Sequence, residues 1–204
     1  MKHDLIITTN RDLVLDCDGV LLDWISGFIK YAEIVLGRKL DPAGHTDFDL
    51  SGWLECDTKE LTSMIDAFNG GDGGYFGRLD PIPGAREALA AAHAQGRPLS
   101  VITACSTDPK VIADRVKGLQ STFGDIFKDI HAVGLHESKS DLLSEYKGGT
   151  WVEDKAENAL LGAELGLSSY LIRTSHNARF DGVMTHANLN WVDGWDCIRK
   201  QEGL

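Results

Sequence analysis

The sequence predicts a doubly wound α/β fold, a mainly parallel Rossmann-like sheet with a small helical cap inserted after its first strand. Three observations predict it. Short β-rich apolar runs alternate with amphipathic helical patterns along most of the 204 residues, and such alternation implies parallel strands with helices on both faces. The helical patterns start and stop on proline and glycine punctuation. Between Asp23 and Asp80 the alternation ceases, and that interval holds no convincing buried strand.

The elements follow in order. The first buried strand is Leu13-Val14-Leu15, and residues 5–8 are expected to add a strand paired with it through a turn at Asn10. Further strands are predicted at 99–102, 130–133, 150–152 and 169–172, each a short apolar or β-branched run. Pro83-Gly84 opens a helix over 85–95, which Gly96 closes from the position just past its end. Asp108-Pro109 opens a helix reaching residue 123 before Gly124, and another spans 156–165 before Gly166. The interval 24–80 reads as a helical cap, with helix-like stretches at 24–36 and 58–68 and a loose Gly70-Gly71-Asp72-Gly73-Gly74 segment. Residues 1–23 and 81–204 then form the core domain.

Bulk properties narrow the class. The chain is 43% hydrophobic and 25% charged, as in ordinary soluble domains. No apolar run approaches the roughly 18 residues of a membrane span, and the apolar stretch after Met1 is too short for a signal peptide. Cys17, Cys56, Cys105 and Cys197 form no CxxC pair, which favours reduced thiols and a cytoplasmic location. A net charge of −11 opposes binding to polynucleotide phosphates. A small phosphorylated ligand remains compatible where a metal ion and a lysine reverse the local potential. Monomer and homodimer are both compatible with the sequence.

In open parallel sheets, sites form beyond the carboxyl ends of the strands. The polar residues there are Asp16, Asp18, Thr103, Glu153 and Asp154. If the first strand continues, Asp16 and Asp18 point to one side, and Gly19 permits a sharp turn. Two carboxylates this close call for a cation, and Mg2+ suits hard oxygen ligands. Thr103 can donate a hydroxyl to a phosphate oxygen, Lys139 can neutralise phosphate charge, and Asp18 suits general acid–base work.

Asp16-Cys17-Asp18-Gly19-Val20, Val101-Ile102-Thr103, Lys139 and Trp151-Val152-Glu153-Asp154 together resemble, in order, the four motifs of the haloacid dehalogenase-like (HAD) phosphatases. The resemblance implies that Asp16 is the nucleophile that becomes phosphorylated and that Asp18 is the acid/base. Thr103, the position held by Ala104, and Lys139 would bind the phosphate. Asp16, the carbonyl of Asp18 and Asp154 would hold Mg2+, with Glu153 reaching it through water. Residues 74–85, 174–177 and 191–195 are similar to segments of the 5′(3′)-deoxyribonucleotidases, which implies a mononucleotide substrate. That subfamily usually has serine where this chain has Ala104, so one side-chain contact to phosphate is missing. A sugar phosphate and a non-catalytic phospholigand-binding role are the alternative readings.

Each signal has a plainer reading beside it. A lone Asp-x-Asp-Gly is more often a turn, and only the company of Thr103, Lys139 and Asp154 makes it a site. Lys147 and Lys155 compete with Lys139, although Lys155 follows Asp154 directly and should point away. Phe48, Trp53, Tyr75 and Phe76 could stack on a nucleobase, worth about 1–3 kcal/mol. Core packing is the commoner role for each, with at least one expected to face ligand. The glycine cluster lacks the Lys-Ser/Thr of a P-loop. Cys17 reads as core. His131, His136, His176 and His186 lack metal-ligand spacing and read as structural or exposed, and Asn177 and Arg179 are candidates for supporting the site.

Overall fold

The computed structural model describes residues 11–71 and 74–204. The strand expected at residues 5–8 lies outside them, as does the middle of the glycine cluster. Six parallel strands form one sheet: β1 (Leu13–Leu15), β2 (Leu99–Ala104), β3 (Asp129–Val133), β4 (Thr150–Glu153), β5 (Ser168–Ile172) and β6 (Leu189–Val192). Their order is β3-β2-β1-β4-β5-β6. The chain therefore winds outward in one direction from β1 to β3, then returns to the other side of β1 at β4. That reversal opens a crevice beyond the carboxyl ends of β1 and β4.

Alternation along β1 sorts the core into two layers. Leu13 and Leu15 join Leu89, Leu99, Val101, Val152 and Trp195 on one face. Val14 joins Ile102, Leu143, Tyr146, Trp151 and Leu167 on the other. β1 is paired on both sides and wholly buried, which is why it reads as an unbroken apolar run.

The punctuation predicted from sequence recurs in the helices. α4 (Ala85–Ala94) starts after Gly84 and is followed by Gly96 at φ +72°. α5 (Pro109–Phe123) is capped by the Asp108 carboxylate, which accepts from the Lys110 N–H at 2.7 Å. α7 (Ala156–Glu164) ends before Gly166. The short α6 (Ser140–Ser144) follows Lys139, and α8 (Trp195–Glu202) closes the chain. Two strands run further than their sequence patterns. β2 continues to Ala104, so Thr103 is a strand residue paired with Ala132, and β4 includes Glu153. β6 was not legible as a strand: it is a four-residue edge whose first three residues are half-buried.

The described residues between β1 and α4 hold no strand. They form α1 (Trp24–Ile34), α2 (Ser51–Leu54), α3 (Thr58–Gly70) and two 3-10 turns, Pro42–Gly44 and Phe76–Arg78. Aromatic rings join α1 and α3. Trp24 stacks on Phe28 at 4.9 Å, and the Phe68 ring stands edge-on to Phe28 at 5.4 Å. Phe28, Phe68, Phe76 and Leu79 belong to the same apolar cluster as the sheet residues Leu13 and Leu15. The interval and the sheet thus share one continuous core.

A buried polar clamp fixes α8 across the amino-terminal edge of the sheet. Arg97 donates to Glu202 at 2.7 Å, to the Thr150 hydroxyl at 2.6 Å and to the Arg11 carbonyl at 2.8 Å. The Tyr170 hydroxyl donates to the other Glu202 oxygen at 2.7 Å. Removing Arg97 would strand a largely buried carboxylate. Arg97→Met is expected to cost about 3 kcal/mol or more, read as a lowered urea midpoint, whereas Glu202→Gln, which keeps the packing, should cost less.

Candidate active site

The site grows from the ends of β1, β2 and β4. β1 ends at Leu15, but the Asp16 N–H still donates to the Val152 carbonyl at 2.9 Å. The ladder thus carries Asp16 one residue past the strand, and the strand does not continue through Asp18 as the two-residue spacing suggested. Instead the chain turns sharply: the Leu21 and Leu22 N–H groups both donate to the Cys17 carbonyl, at 2.8 and 2.9 Å. Gly19 makes the turn at φ +75°, and a β-carbon there would lie 2.0 Å from Asp154 Oδ2. Both the backbone conformation and the neighbouring carboxylate therefore require glycine. Cys17 is buried, as the sequence implies.

Lys139, delivered by the loop before α6, sits between two acids. Its ammonium lies 2.7 Å from Asp16 Oδ1 and 3.0 Å from Glu153 Oε2, and its side chain is 3% exposed. Both Glu153 oxygens are engaged. Oε2 also accepts from Asn158 Nδ2 at 3.2 Å, and Oε1 accepts from the N–H groups of Asp154 and Lys155, each at 3.1 Å. Glu153 therefore fixes Lys139 and the start of α7. Thr103 is wholly buried, and among the described residues its hydroxyl has no hydrogen-bond partner. Ala104 closes β2 beside it, opposite Val133.

Carboxylate oxygens of Asp16, Glu153 and Asp154 lie within 4.8 Å of one another, and all three residues are buried. Burial first, then the charge of Glu153, raises the Asp16 pKa to about 7, although Lys139 pulls the other way. Burial and the charge of Asp16 raise Asp154 likewise. Asp18 is pushed up to about 6 by burial, against the opposing effect of Arg115. Burial alone would lower the Lys139 pKa, but Asp16 and Glu153 more than offset it and hold the group charged. Crowded, oxygen-only and short of positive charge, the donor set fits a hard divalent ion.

Three neighbours escaped the sequence reading or exceed it. Arg115, from the middle of α5, is wholly buried and donates to Asp18 Oδ2 at 2.7 Å. His176, read as structural or exposed, is buried against the site: its Nε2 lies 3.1 Å from the Asp154 carbonyl oxygen and 3.5 Å from Asp154 Oδ2, and burial lowers its pKa. Asn177 donates to the Asp154 carbonyl at 2.7 Å and to the Ile172 carbonyl at 2.8 Å, tying β5 to the site. Arg179 pairs with Asp47. His131 meets the Tyr146 hydroxyl at 3.3 Å, and His136 and His186 are exposed.

The aromatic candidates divide. Phe76 is 2% exposed, sandwiched between Phe68 and the Arg115 guanidinium, so the expectation that it could face a ligand is corrected: it is core. Tyr75 packs edge-on to Tyr31 at 5.7 Å. Trp53 donates to the Asp41 carbonyl at 2.9 Å and leans on His45. Phe48 alone among the four is strongly exposed, at 52%. Its ring stands against His176, and the Lys155 ammonium lies 4.1 Å above it. Lys155 thus points away from Asp16, as its position after Asp154 suggests, and Lys147 lies beside Gly166 at the opposite edge of the sheet.

A sheet of this order, with a helical interval after β1 and acids gathered at the reversal point, is the architecture of the HAD-type hydrolases. Solved structures agree. A HAD family hydrolase from Deinococcus radiodurans R1, with bound phosphate and sodium, superposes with a TM-score of 0.65 at 18% identity, over 94% of this chain and 96% of that one. D,D-heptose 1,7-bisphosphate phosphatase from B. bronchiseptica, complexed with magnesium and phosphate, gives 0.56 at 12% identity, over 94% and 97%. A dehalogenase with an intermediate complex gives 0.59 at 11%, over 94% and 96%. Likeness at these identities is one of fold, and the presence of a dehalogenase shows that this fold alone does not select the reaction. The sequence itself decides further. Residues 10–202 match the family described as "5' nucleotidase, deoxy (Pyrimidine), cytosolic type C protein", and the chain belongs to that family. It is a HAD-type phosphatase, a phosphoric monoester hydrolase. Comparison with curated proteins gives no match.

Proposed function

We propose that this enzyme hydrolyses 5′-(deoxy)nucleoside monophosphates through a phosphoaspartate on Asp16, with Mg2+ as cofactor. The observation that carries the reading is the junction of Asp16, Lys139 and Thr103. A carboxylate just past β1 lies 2.7 Å from a buried ammonium, and the adjacent strand β2 carries a buried hydroxyl with no partner among the described residues. Asp16 attacks phosphorus in line, while Thr103 and Lys139 hold the phosphoryl oxygens. Asp18 gives a proton to the departing ester oxygen and then takes one from the water that attacks the phosphoaspartate. Asp16, the Asp18 carbonyl and Asp154 would hold the ion, with Glu153, behind Lys139, reaching it through water. When bound, Mg2+ supplies positive charge to the phosphate oxygens.

The helical interval 24–80 serves in this reading as a cap over the crevice. Phe48 is the aromatic best placed to meet a nucleobase, since it is exposed beside His176, which touches Asp154. The family description favours a pyrimidine deoxynucleotide. No helix among the described residues is long and apolar enough to cross a membrane, and four free thiols suit the cytosol. Phosphate release should be measured with magnesium across nucleoside monophosphates, sugar phosphates and an aryl phosphate. Preference for a nucleotide is the expected result. Faster turnover of a sugar phosphate would overturn the substrate, and a folded protein idle on all of them would overturn the chemistry.

The raised acids also give the metal a signature in stability. Without metal, folded Asp16 keeps its proton up to about pH 7, whereas the unfolded residue releases it near 3.8. Folding stability of the metal-free protein should therefore fall as pH rises from about 4 to 7, by up to ~1.4 kcal/mol per unit for each such proton. Magnesium needs the ionised acids, so the melting temperature it adds should be larger at pH 8 than at pH 5. Equal shifts at both pH values would count against these ligands.

A further inference from the structure

Arg115 occupies an unusual place for a charge. On α5 the buried positions are Val111, Arg115, Gly118 and Leu119, the spacing of an apolar stripe, and Arg115 is wholly buried within it. A charge so placed needs strong local compensation. It finds Asp18 Oδ2 at 2.7 Å, Cys17 Sγ at 3.1 Å, and the Phe76 ring, 3.9 Å from the guanidinium carbon. α5 approaches the 76–78 turn closely here, since a β-carbon on Gly118 would lie 3.3 Å from the Gly77 carbonyl oxygen. The other Asp18 oxygen, Oδ1, is buried with no partner among the described residues. The two oxygens of one carboxylate are thus treated differently: one is pinned, the other is buried without a partner among the described residues.

We propose that Arg115 is a positioning residue for Asp18. By pinning Oδ2 over the Phe76 ring, it fixes the orientation of the carboxyl group that exchanges the proton. This rests on the phosphoaspartate mechanism above. In the first step Asp16 forms its bond to phosphorus, the P–O ester bond breaks, and the leaving oxygen keeps that electron pair and takes the proton from the Asp18 carboxyl. In the second, water bonds to phosphorus, the Asp16–phosphorus link breaks, and the Asp18 carboxylate recovers the proton from the water.

The test compares esters that differ in their need for that proton. The alkoxide leaving a nucleoside 5′-monophosphate requires protonation, whereas the phenolate leaving para-nitrophenyl phosphate departs without it. Values of kcat/KM for both, which report steps through departure of the leaving group, should be measured for wild type, Arg115→Met and Arg115→Lys, with melting curves for each. The expected result is a loss of about 10²-fold on the nucleotide for Arg115→Met, a smaller loss for Arg115→Lys, and little change on the aryl ester. Equal losses on both esters, or none on either, would overturn the proposal. So would an Arg115→Lys protein that cannot fold, because the residue would then serve folding and not Asp18. Wild type inactive on both esters, or Asp16→Asn still active, would instead sink the underlying mechanism.

Discussion

Replacing Asp16 with asparagine should lower phosphate release by roughly 10⁴-fold or more while leaving the fold intact. The amide has nearly the shape of the carboxylate and can still accept from Lys139, but its oxygen is a far weaker nucleophile. Stability should hold for a physical reason. Asp16 is a buried acid whose ionisation is opposed by burial and by Glu153, so a neutral side chain removes repulsion as well as attraction. Lys139 keeps Glu153 at 3.0 Å. The measurements are steady-state release from the best substrate and a melting curve without metal. Retained turnover in a folded Asp16→Asn protein would remove Asp16 from the chemistry.

Lys139→Met should damage both activity and stability. The ammonium lies between Asp16 and Glu153, and its side chain is 3% exposed. Without it, two buried acids face each other with no cation between them. Losing one partner from a buried ionic cluster costs about 3–5 kcal/mol, and losing a positive contact to the phosphate should lower kcat by roughly 10²-fold or more. The two effects separate in a double variant. Adding Glu153→Gln removes one uncompensated charge, so it should restore part of the urea midpoint but none of the activity. A single variant as stable as wild type would show that the acids shed their charges at little cost.

Much of the fold was readable because it depends on local signals. The buried runs at β1 and β4 and the glycines after α4 and α7 each announce one element. The edges were harder. β6 is short and half-buried, so its alternation is weak, and β2 outlasts its apolar run because Thr103 and Ala104 remain in the ladder. Within the site, Asp16, Lys139, Glu153 and Asp154 could be placed together from strand ends and motif order. Arg115 could not: in sequence it is one more charged residue on an amphipathic helix, and only three-dimensional packing turns it inward. Its one sequence signal is its place in the stripe with Val111, Gly118 and Leu119. His176 was missed because it serves Asp154 through a backbone carbonyl, a contact with no residue spacing to betray it.

His176 has two sides. One meets Asp154, and the other meets His45 at 5.2 Å and Phe48 at 5.9 Å, both from the interval between α1 and α2. Burial and His176 push the His45 pKa down to about 4, so that ring is uncharged at neutral pH and the contact is one of packing. If a ligand on Asp154 shifts His176, the two occupancies are thermodynamically linked. Whatever free energy a ligand on Asp154 gives to the seating of the 45–48 loop, the seating of that loop returns to the ligand. Affinity for the ion and affinity for the leaving group would then be two readings of one equilibrium.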